Sequence, residues 1–526
     1  MLLFCHSVTS IGLPSKGGYD IIGMWDKFAH TPIFLQRSKR DMKSVKIIKP
    51  EVIGNISPEI YGHFSEHIGG VFYGGLWVGK NSDIPNERGF RKDALEYLRR
   101  INVPVLRWPG GCFAETYNWR DGIGEDRPVR HNWWTRNDGR YESNEVGTHE
   151  FFDLCELIGA KAYLAINVTS ITPLEAREWL DYCLSPKGST TLAIEREKNG
   201  HPEPFVIDYI GVGNENWGGG GNMTPDYYAL EYRKFATLID NICAACGSEA
   251  RLVAGGANHT DYKWTHDLAQ NLADTWRTPG WGMSFHFYTT KAGDCVDYTV
   301  DDWNKTIALA SAIEPALLRH NAITEGFGIG HKMKLVIDEW GCWHPDGSGP
   351  SRGYNLFEQQ STMRDAVVSA LSLNVFNNHS DKVYMTNVAQ VCNNLHCLLL
   401  CDGKDNLITT PTYHVFDMYK SHMGAEALRT LVDEKSISAS ASVADGYVTL
   451  TLANTSCECD EELRVELLGA CAEPIAEAKL LSSPDYRACN TFDTPERVKP
   501  CDISVDITKP VSLPRASVLA IRIKLK

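Results

Sequence analysis

The chain is predicted to fold as an α/β protein, a (β/α)8 TIM barrel with a C-terminal antiparallel β-sandwich, and three observations carry that expectation. From about residue 56, short apolar runs alternate with longer amphipathic segments, the order that builds a parallel sheet with right-handed crossovers. Two of these runs, Ile210-Gly211-Val212-Gly213-Asn214-Glu215-Asn216-Trp217 and Lys334-Leu335-Val336-Ile337-Asp338-Glu339-Trp340, lead into a glutamate with an indole close behind. After about residue 425 the texture changes to short alternating strands broken by Gly, Pro, Asn and Asp, as in antiparallel sandwiches.

The barrel strands are expected at Ile60–His67, Val103–Trp108, Ala162–Val168, Val206–Asn214, Arg251–Gly255, Met283–Tyr288, Lys334–Glu339 and Val383–Ala389. Helical patterns lie between them at Arg91–Asn102, Thr148–Ile158, Pro173–Leu184, Thr224–Ala245, Thr260–Leu272, Val300–Asn321 and Ser361–Asn374. Eight such units in a stretch of this length suit a barrel with some long loops. The sandwich strands are expected at Ser436–Ala444, Tyr447–Asn454, Glu462–Leu468, Ala476–Leu481, Ile503–Ile507 and Ser517–Lys524, and Val45–Lys49, which has no barrel role, is free to complete them. The domains are therefore a catalytic barrel at 56–425 and a β-sandwich formed by 43–55 and 426–526. Residues 1–42 mix Gly, Pro and basic residues without a period, while Met42-Lys43-Ser44-Val45 opens like an ordinary N terminus. The early stretch is expected to be a disordered extension or a start assigned too far upstream.

The composition excludes several classes of function. A net charge of −14 argues against nucleic acid or an anionic membrane, both of which demand clustered Lys and Arg. No run approaches the roughly 18 apolar residues of a spanning helix. Met1-Leu2-Leu3-Phe4-Cys5 lacks the basic start of a secretory signal. The 16 Cys mostly sit inside apolar runs, so reduced thiols in a cytoplasmic protein are expected. Cys243 and Cys246 have CxxC spacing without a second ligand pair, and no ligand cluster suits a metal, so no metal or cofactor is expected. The 14 Trp and 21 Tyr supply flat apolar faces of the kind that sugar clefts use.

Unusual polar residues gather at the predicted C-terminal strand ends, where barrel enzymes keep their chemistry. Glu66 and His67 close strand one, Arg107 strand two, Asn214 and Glu215 strand four, His286 and Tyr288 strand six, Glu339 strand seven and Gln390 strand eight. Paired carboxylates on one rim suit glycoside hydrolysis, which needs one acid to protonate the leaving oxygen and one carboxylate to meet the oxocarbenium-like centre. Tyr288 would hold Glu339 ionised, and burial beside that charge would keep a proton on Glu215. Asn214 would bond a sugar hydroxyl next to the reacting carbon. The separation that distinguishes retention from inversion stays open at this point.

The segments Tyr61-Gly62-His63-Phe64-Ser65-Glu66-His67, Leu106-Arg107-Trp108-Pro109-Gly110-Gly111, Gly213-Asn214-Glu215-Asn216-Trp217-Gly218 and Asp338-Glu339-Trp340, in this order, closely resemble glycoside hydrolase family 51. The resemblance covers about residues 43–526 and implies a retaining, exo-acting α-L-arabinofuranosidase with a clan A barrel and a β-sandwich. It implies Glu215 as acid/base, Glu339 as nucleophile, and an arabinofuranose subsite lined by Glu66, Arg107, Asn214, His286, Tyr288 and Gln390. Asn144-Glu145-Val146-Gly147 resembles the family's loop over the same rim. Cys112 stands where the family often has Asn, so a sugar contact there would be weakened or shifted to a backbone group. The Gly218–Gly221 run reads as a turn, with no Gly-Lys-Ser/Thr to make it a phosphate loop. The implied substrates are arabinoxylan- or arabinan-derived oligosaccharides, and the implied assembly is a homo-oligomer, often a hexamer. Another clan A activity (endo-glucanase or xylosidase) and a non-catalytic glycan-binding protein are the alternatives; two matched glutamates argue against the latter.

Overall fold

A computed structural model describes residues 43–134, 141–273, 280–290, 293–345, 347–351 and 355–526, so the expectation for residues 1–42 lies outside the described residues. Gly62–Phe64, Val105–Trp108, Lys161–Ile166, Tyr209–Val212, Arg251–Asn258, Gly282–Thr290, Lys334–Trp343 and Val383–Ala389 form eight parallel strands. They close in chain order into a barrel, the eighth pairing with the first. Each lies within or across a predicted apolar run. Val105, Tyr163, Tyr209, Val253, Val336 and Met385, one from each of six strands, pack together as a core separate from the larger one under the helices. The barrel is thus filled by its own side chains, as an eight-stranded barrel must be.

The differences in boundary have local causes. Strand seven does not stop at Glu339 but runs on to Trp343, so Glu339 sits inside the strand. Gly341 permits this at φ +136, where a Cβ would also meet His396 Cβ at 2.5 Å. Strand one ends at Phe64, leaving Glu66 and His67 just beyond it. Strand four starts at Tyr209 rather than Val206, which is 75% exposed: its apolarity is not burial. The pattern over 300–321 divides into helices Val300–Ser311 and Ile313–Gly326. Pro315 has no N–H to give the Ser311 carbonyl, which ends the first of them.

The C-terminal strands belong to one nine-stranded sheet. Ser44–Asn55 sits inside it, antiparallel to Glu426–Val432 and parallel to Glu461–Leu468. Leu513 and Val465 near one edge share a core with Ala478 and Val505 near the other, so the sheet rolls over on itself. The two layers of the expected sandwich therefore come from a single hydrogen-bonded sheet. Between sheet and barrel runs helix Met363–Asn378, with Met363–Asn377 all buried. On the sheet side Asn374 Oδ1 accepts from Ser440 and Thr451, and Asn377 Nδ2 donates to Ser440 Oγ. A helix covered on both sides has no solvent stripe, which explains its weak amphipathic signal in the sequence.

Candidate active site

Glu339 and His286 lie opposite each other on strands seven and six, at the C-terminal half of the barrel. Glu339 Oε1 accepts from Arg107 Nη1 at 2.8 Å and Oε2 accepts from the Tyr288 hydroxyl at 2.8 Å. Arg107 rises from strand two, lies over the Phe64 ring at 4.5 Å, and gives its other terminal nitrogen to Asn214 Oδ1 at 2.5 Å. Burial opposes its charge, but the neighbouring Asp338 and Glu339 outweigh that and raise its pKa, so the guanidinium stays charged. Burial and the Glu339 charge push the Tyr288 phenol far up, keeping it a donor.

Glu215 follows a backbone that turns sharply off strand four. Gly213 has φ +84 and Glu215 itself φ +43, a left-handed value uncommon for a side chain of this size. A Cβ at Gly220 would lie 1.7 Å from the Asn214 carbonyl oxygen, so this glycine is a packing requirement of the turn. Glu215 Oε1 lies 2.9 Å from His286 Nδ1, and Oε2 accepts from Cys112 Sγ at 3.4 Å. The electrostatics run against the expectation that Glu215 carries a proton at working pH. Burial does raise its pKa, but the hydrogen bond and charge of His286 outweigh burial and the net shift is downward. For His286, burial is outweighed by Glu339 and Glu215, and its pKa is raised. The two shifts run in opposite directions and both favour the ion pair, and His286 also lies 3.5 Å from Glu339 Oε2.

Glu66 and Gln390 form a reciprocal pair beyond strands one and eight. Gln390 Oε1 accepts from the Glu66 N–H at 2.9 Å, and Gln390 Nε2 donates to Glu66 Oε2 at 3.1 Å. Burial and the Glu339 charge push the Glu66 carboxyl up to about 8. A group whose folded pKa exceeds its ordinary 4.5 stabilises the fold below that ordinary value and loses the contribution as pH rises through about 8. Glu66→Gln cannot ionise. Its melting temperature relative to wild type is therefore expected to gain roughly 2–4 °C between pH 4 and pH 9. A difference in melting temperature that does not change with pH would contradict the raised value.

Arg107, Cys112, Asn214, Glu215, His286, Tyr288 and Glu339 thus form one hydrogen-bonded group, with Cys112 touching Glu215 and Asn214 Nδ2 reaching Cys112 Sγ at 3.7 Å, while Glu66 and Gln390 pair beside it within the field of the Glu339 charge. Asn144 does not join it: its side chain donates to the Pro128 carbonyl. His67 stands behind the rim, accepting from Trp108 Nε1 at 3.0 Å among the rings of Phe72 and Phe113. Two neighbours were missed. Trp343 meets the Tyr288 ring edge-on at 5.1 Å. It shares a strand face with Glu339, a period-two signal that the early end given to strand seven concealed. Glu115, a carboxylate inside the apolar Phe113–Tyr117 stretch, accepts from the Asn214 N–H at 2.7 Å, and burial pushes its carboxyl up to about 7.

Two clusters have the donor types of a metal site, Glu215–His286–Glu339 and Cys342–His344–Asp365. An arginine lies beside one member of each cluster. Arg107 binds Glu339, and Arg364 Nη2 lies 3.2 Å from both ring nitrogens of His344. Of the described cysteines, every one is a free thiol, including Cys243 and Cys246. No described helix is long and apolar enough to cross a membrane.

A (β/α)8 barrel that gathers a guanidinium-bound glutamate and a second glutamate at its C-terminal end is the framework of a glycoside hydrolase. Comparison with known proteins narrows this class. Family models described as "Alpha-L-arabinofuranosidase 1 domain" and "Alpha-L-arabinofuranosidase C-terminal domain" match residues 97–306 and 338–517. An intracellular exo-α-L-arabinofuranosidase of Bacteroides ovatus is 38% identical over 504 residues, covering 91% of this chain and 93% of the relative. Among solved structures, the family 51 arabinofuranosidase of Xanthomonas axonopodis pv. citri superposes with a TM-score of 0.85 at 33% identity, over 92% of this chain and 100% of that one. The arabinose complex of the Thermotoga maritima α-L-arabinofuranosidase gives a TM-score of 0.81 at 30% identity, with the same coverage. The chain belongs to glycoside hydrolase family 51, the α-L-arabinofuranosidases.

Proposed function

We propose that this enzyme releases single terminal α-L-arabinofuranosyl units from short arabinoxylan- or arabinan-derived oligosaccharides, by double displacement, in the cytoplasm. One observation carries the mechanism. One carboxylate oxygen from each of Glu215 and Glu339 and a ring nitrogen of His286 all lie within 4.8 Å of one another. An approach this close suits the carboxyl spacing of about 5–5.5 Å used by retaining enzymes better than the roughly 6.5–9.5 Å that admits a water in inverting ones. The intracellular designation of the Bacteroides ovatus relative supports a cytoplasmic site of action on short substrates.

In this reading the Glu339 carboxylate attacks the anomeric carbon while Glu215 delivers a proton to the departing glycosidic oxygen. That proton reaches Glu215 Oε1 from His286 Nδ1 across 2.9 Å. As the Glu339 charge passes into the ester bond, His286 loses one of the two anions that raise its pKa, which favours the transfer. Water then attacks the anomeric carbon, Glu215 accepts its proton, and the Glu339–sugar bond breaks. Arg107, Tyr288 and Asn214 align the nucleophile and its neighbours, while Glu66, Gln390 and Cys112 line the furanose subsite. Trp343, edge-on to Tyr288, offers a flat face beside it.

Aryl α-L-arabinofuranoside should be turned over, with the α-anomer of arabinose appearing first by NMR; turnover confined to xyloside or glucan would overturn the substrate, and the β-anomer first would overturn the mechanism. The alkaline limb of kcat/KM reports loss of the proton shared by Glu215 and His286. Because the His286 pKa is raised above its ordinary 6.5, that limb is expected above pH 6.5, and a limb at or below it would contradict the resting proton placement.

A further inference from the structure

Cys112–Thr116 is a single 3-10 turn immediately after Trp108-Pro109-Gly110-Gly111, and both of its ends reach the Asn214–Glu215 dipeptide. At its start, Cys112 Sγ donates to Glu215 Oε2. Near its end, Glu115 is 1% exposed and forms no ion pair among the described residues. Its carboxylate accepts three main-chain N–H groups instead: Asn214 at 2.7 Å on Oε1, and Val168 at 2.9 Å and Thr169 at 3.0 Å on Oε2. These donors belong to two separate loops, one after strand three and one after strand four. Beyond Gly213 the Asn214 N–H has left the sheet ladder, and a buried N–H without an acceptor is costly.

An amide cannot replace this arrangement. An amide in place of the carboxylate presents one oxygen and one NH2, so at least one of the backbone donors would face another donor. The loss falls on the segment that holds Glu215 at φ +43, a conformation that persists only when its surroundings over-determine it.

We propose that Glu115 is a positioning residue for the general acid: its carboxylate ties the Asn214 backbone to the loop after strand three and so holds the Glu215 carboxylate against His286. This rests on Glu215 being the acid, the reading given above. Glu115 touches no reacting atom, and its effect passes through the neighbouring main chain.

The test is the dependence of kcat/KM on the leaving group, which reports the glycosylation step alone. Glu115→Gln, Glu115→Asp and Glu215→Ala are compared on 2,4-dinitrophenyl and phenyl α-L-arabinofuranosides, with melting temperature and circular dichroism recorded for each. For Glu115→Gln, kcat/KM on the phenyl substrate is expected to fall about 10- to 100-fold, the scale of a small misplacement of a catalytic group. The dinitrophenyl substrate, which leaves without a proton, should change less than about threefold. A purely structural role would slow both equally, and an equal fall in folded Glu115→Gln overturns the proposal, as does wild-type behaviour. If Glu115→Gln does not fold, Glu115→Asp decides by the same ratio, because it keeps both acceptor oxygens and shortens the reach. Glu215→Ala separates the two levels: an absence of leaving-group dependence in that variant overturns the assignment of the acid itself.

Discussion

Glu339→Ala is expected to abolish measurable turnover, with kcat falling on the order of 10⁴- to 10⁶-fold, the range seen when a covalent nucleophile is removed. The substitution deletes the acceptor for both Arg107 and Tyr288. A second consequence is therefore thermodynamic. Arg107 is left buried with Asn214 but without its carboxylate, and breaking a buried ion pair from one side costs about 3–5 kcal/mol. Glu339→Gln keeps an acceptor in place and should be as inactive but closer to wild type in stability. Azide supplied to Glu339→Ala with a dinitrophenyl arabinoside should occupy the vacated face and give an arabinosyl azide of inverted configuration. Substantial residual turnover on any arabinoside without an added nucleophile would mean that another group forms the bond.

Glu215→Ala should produce a different signature. On a natural disaccharide or a phenyl arabinoside, kcat/KM is expected to drop about 10²- to 10⁴-fold, the usual worth of a positioned general acid. On the dinitrophenyl substrate kcat/KM should stay near the wild-type value, and kcat should fall because water then attacks the glycosyl–enzyme ester without a base. Azide should restore kcat for this variant and give a product of retained configuration. Equal losses in kcat/KM on good and poor leaving groups would remove Glu215 from the acid role. The two variants thus respond to one reagent with products of opposite configuration, which ties each glutamate to its own half of the reaction.

Most of the barrel was legible because parallel strands covered on both faces read as continuous apolar runs, and all eight lie where such runs occur. The limits of that signal are visible at Val206, apolar but exposed, and at strand seven, where Glu339 looked like a terminus yet is an interior position. Carboxylate, guanidinium, imidazole and phenol were all findable, since charged groups inside apolar runs call for a partner. What escaped was connectivity. Nothing in the spacing of Glu215 and His286 states that the two pair, because that depends on a 2.9 Å contact between strand six and the turn after strand four. Nor did Glu115 stand out, since its partners are main-chain N–H groups, which every sequence carries. The rolled sheet was likewise hidden: alternation marks which face is inner but not whether two layers are one sheet or two.

Helix Met363–Asn378 has a consequence for anyone who would reuse this scaffold. One of its sides seals the barrel, and the other offers amides to the hydroxyls of the C-terminal sheet. Cutting the chain before residue 426 would leave Asn374 and Asn377 facing water from positions built for Ser440 and Thr451. It would also strip the partners from strand Ser44–Asn55, exposing a bare sheet edge ready to pair with other chains. The catalytic half is therefore not a portable module. Grafting, permutation or display of this enzyme has to carry the sheet as an integral wall, and calorimetry should record one melting event for both halves.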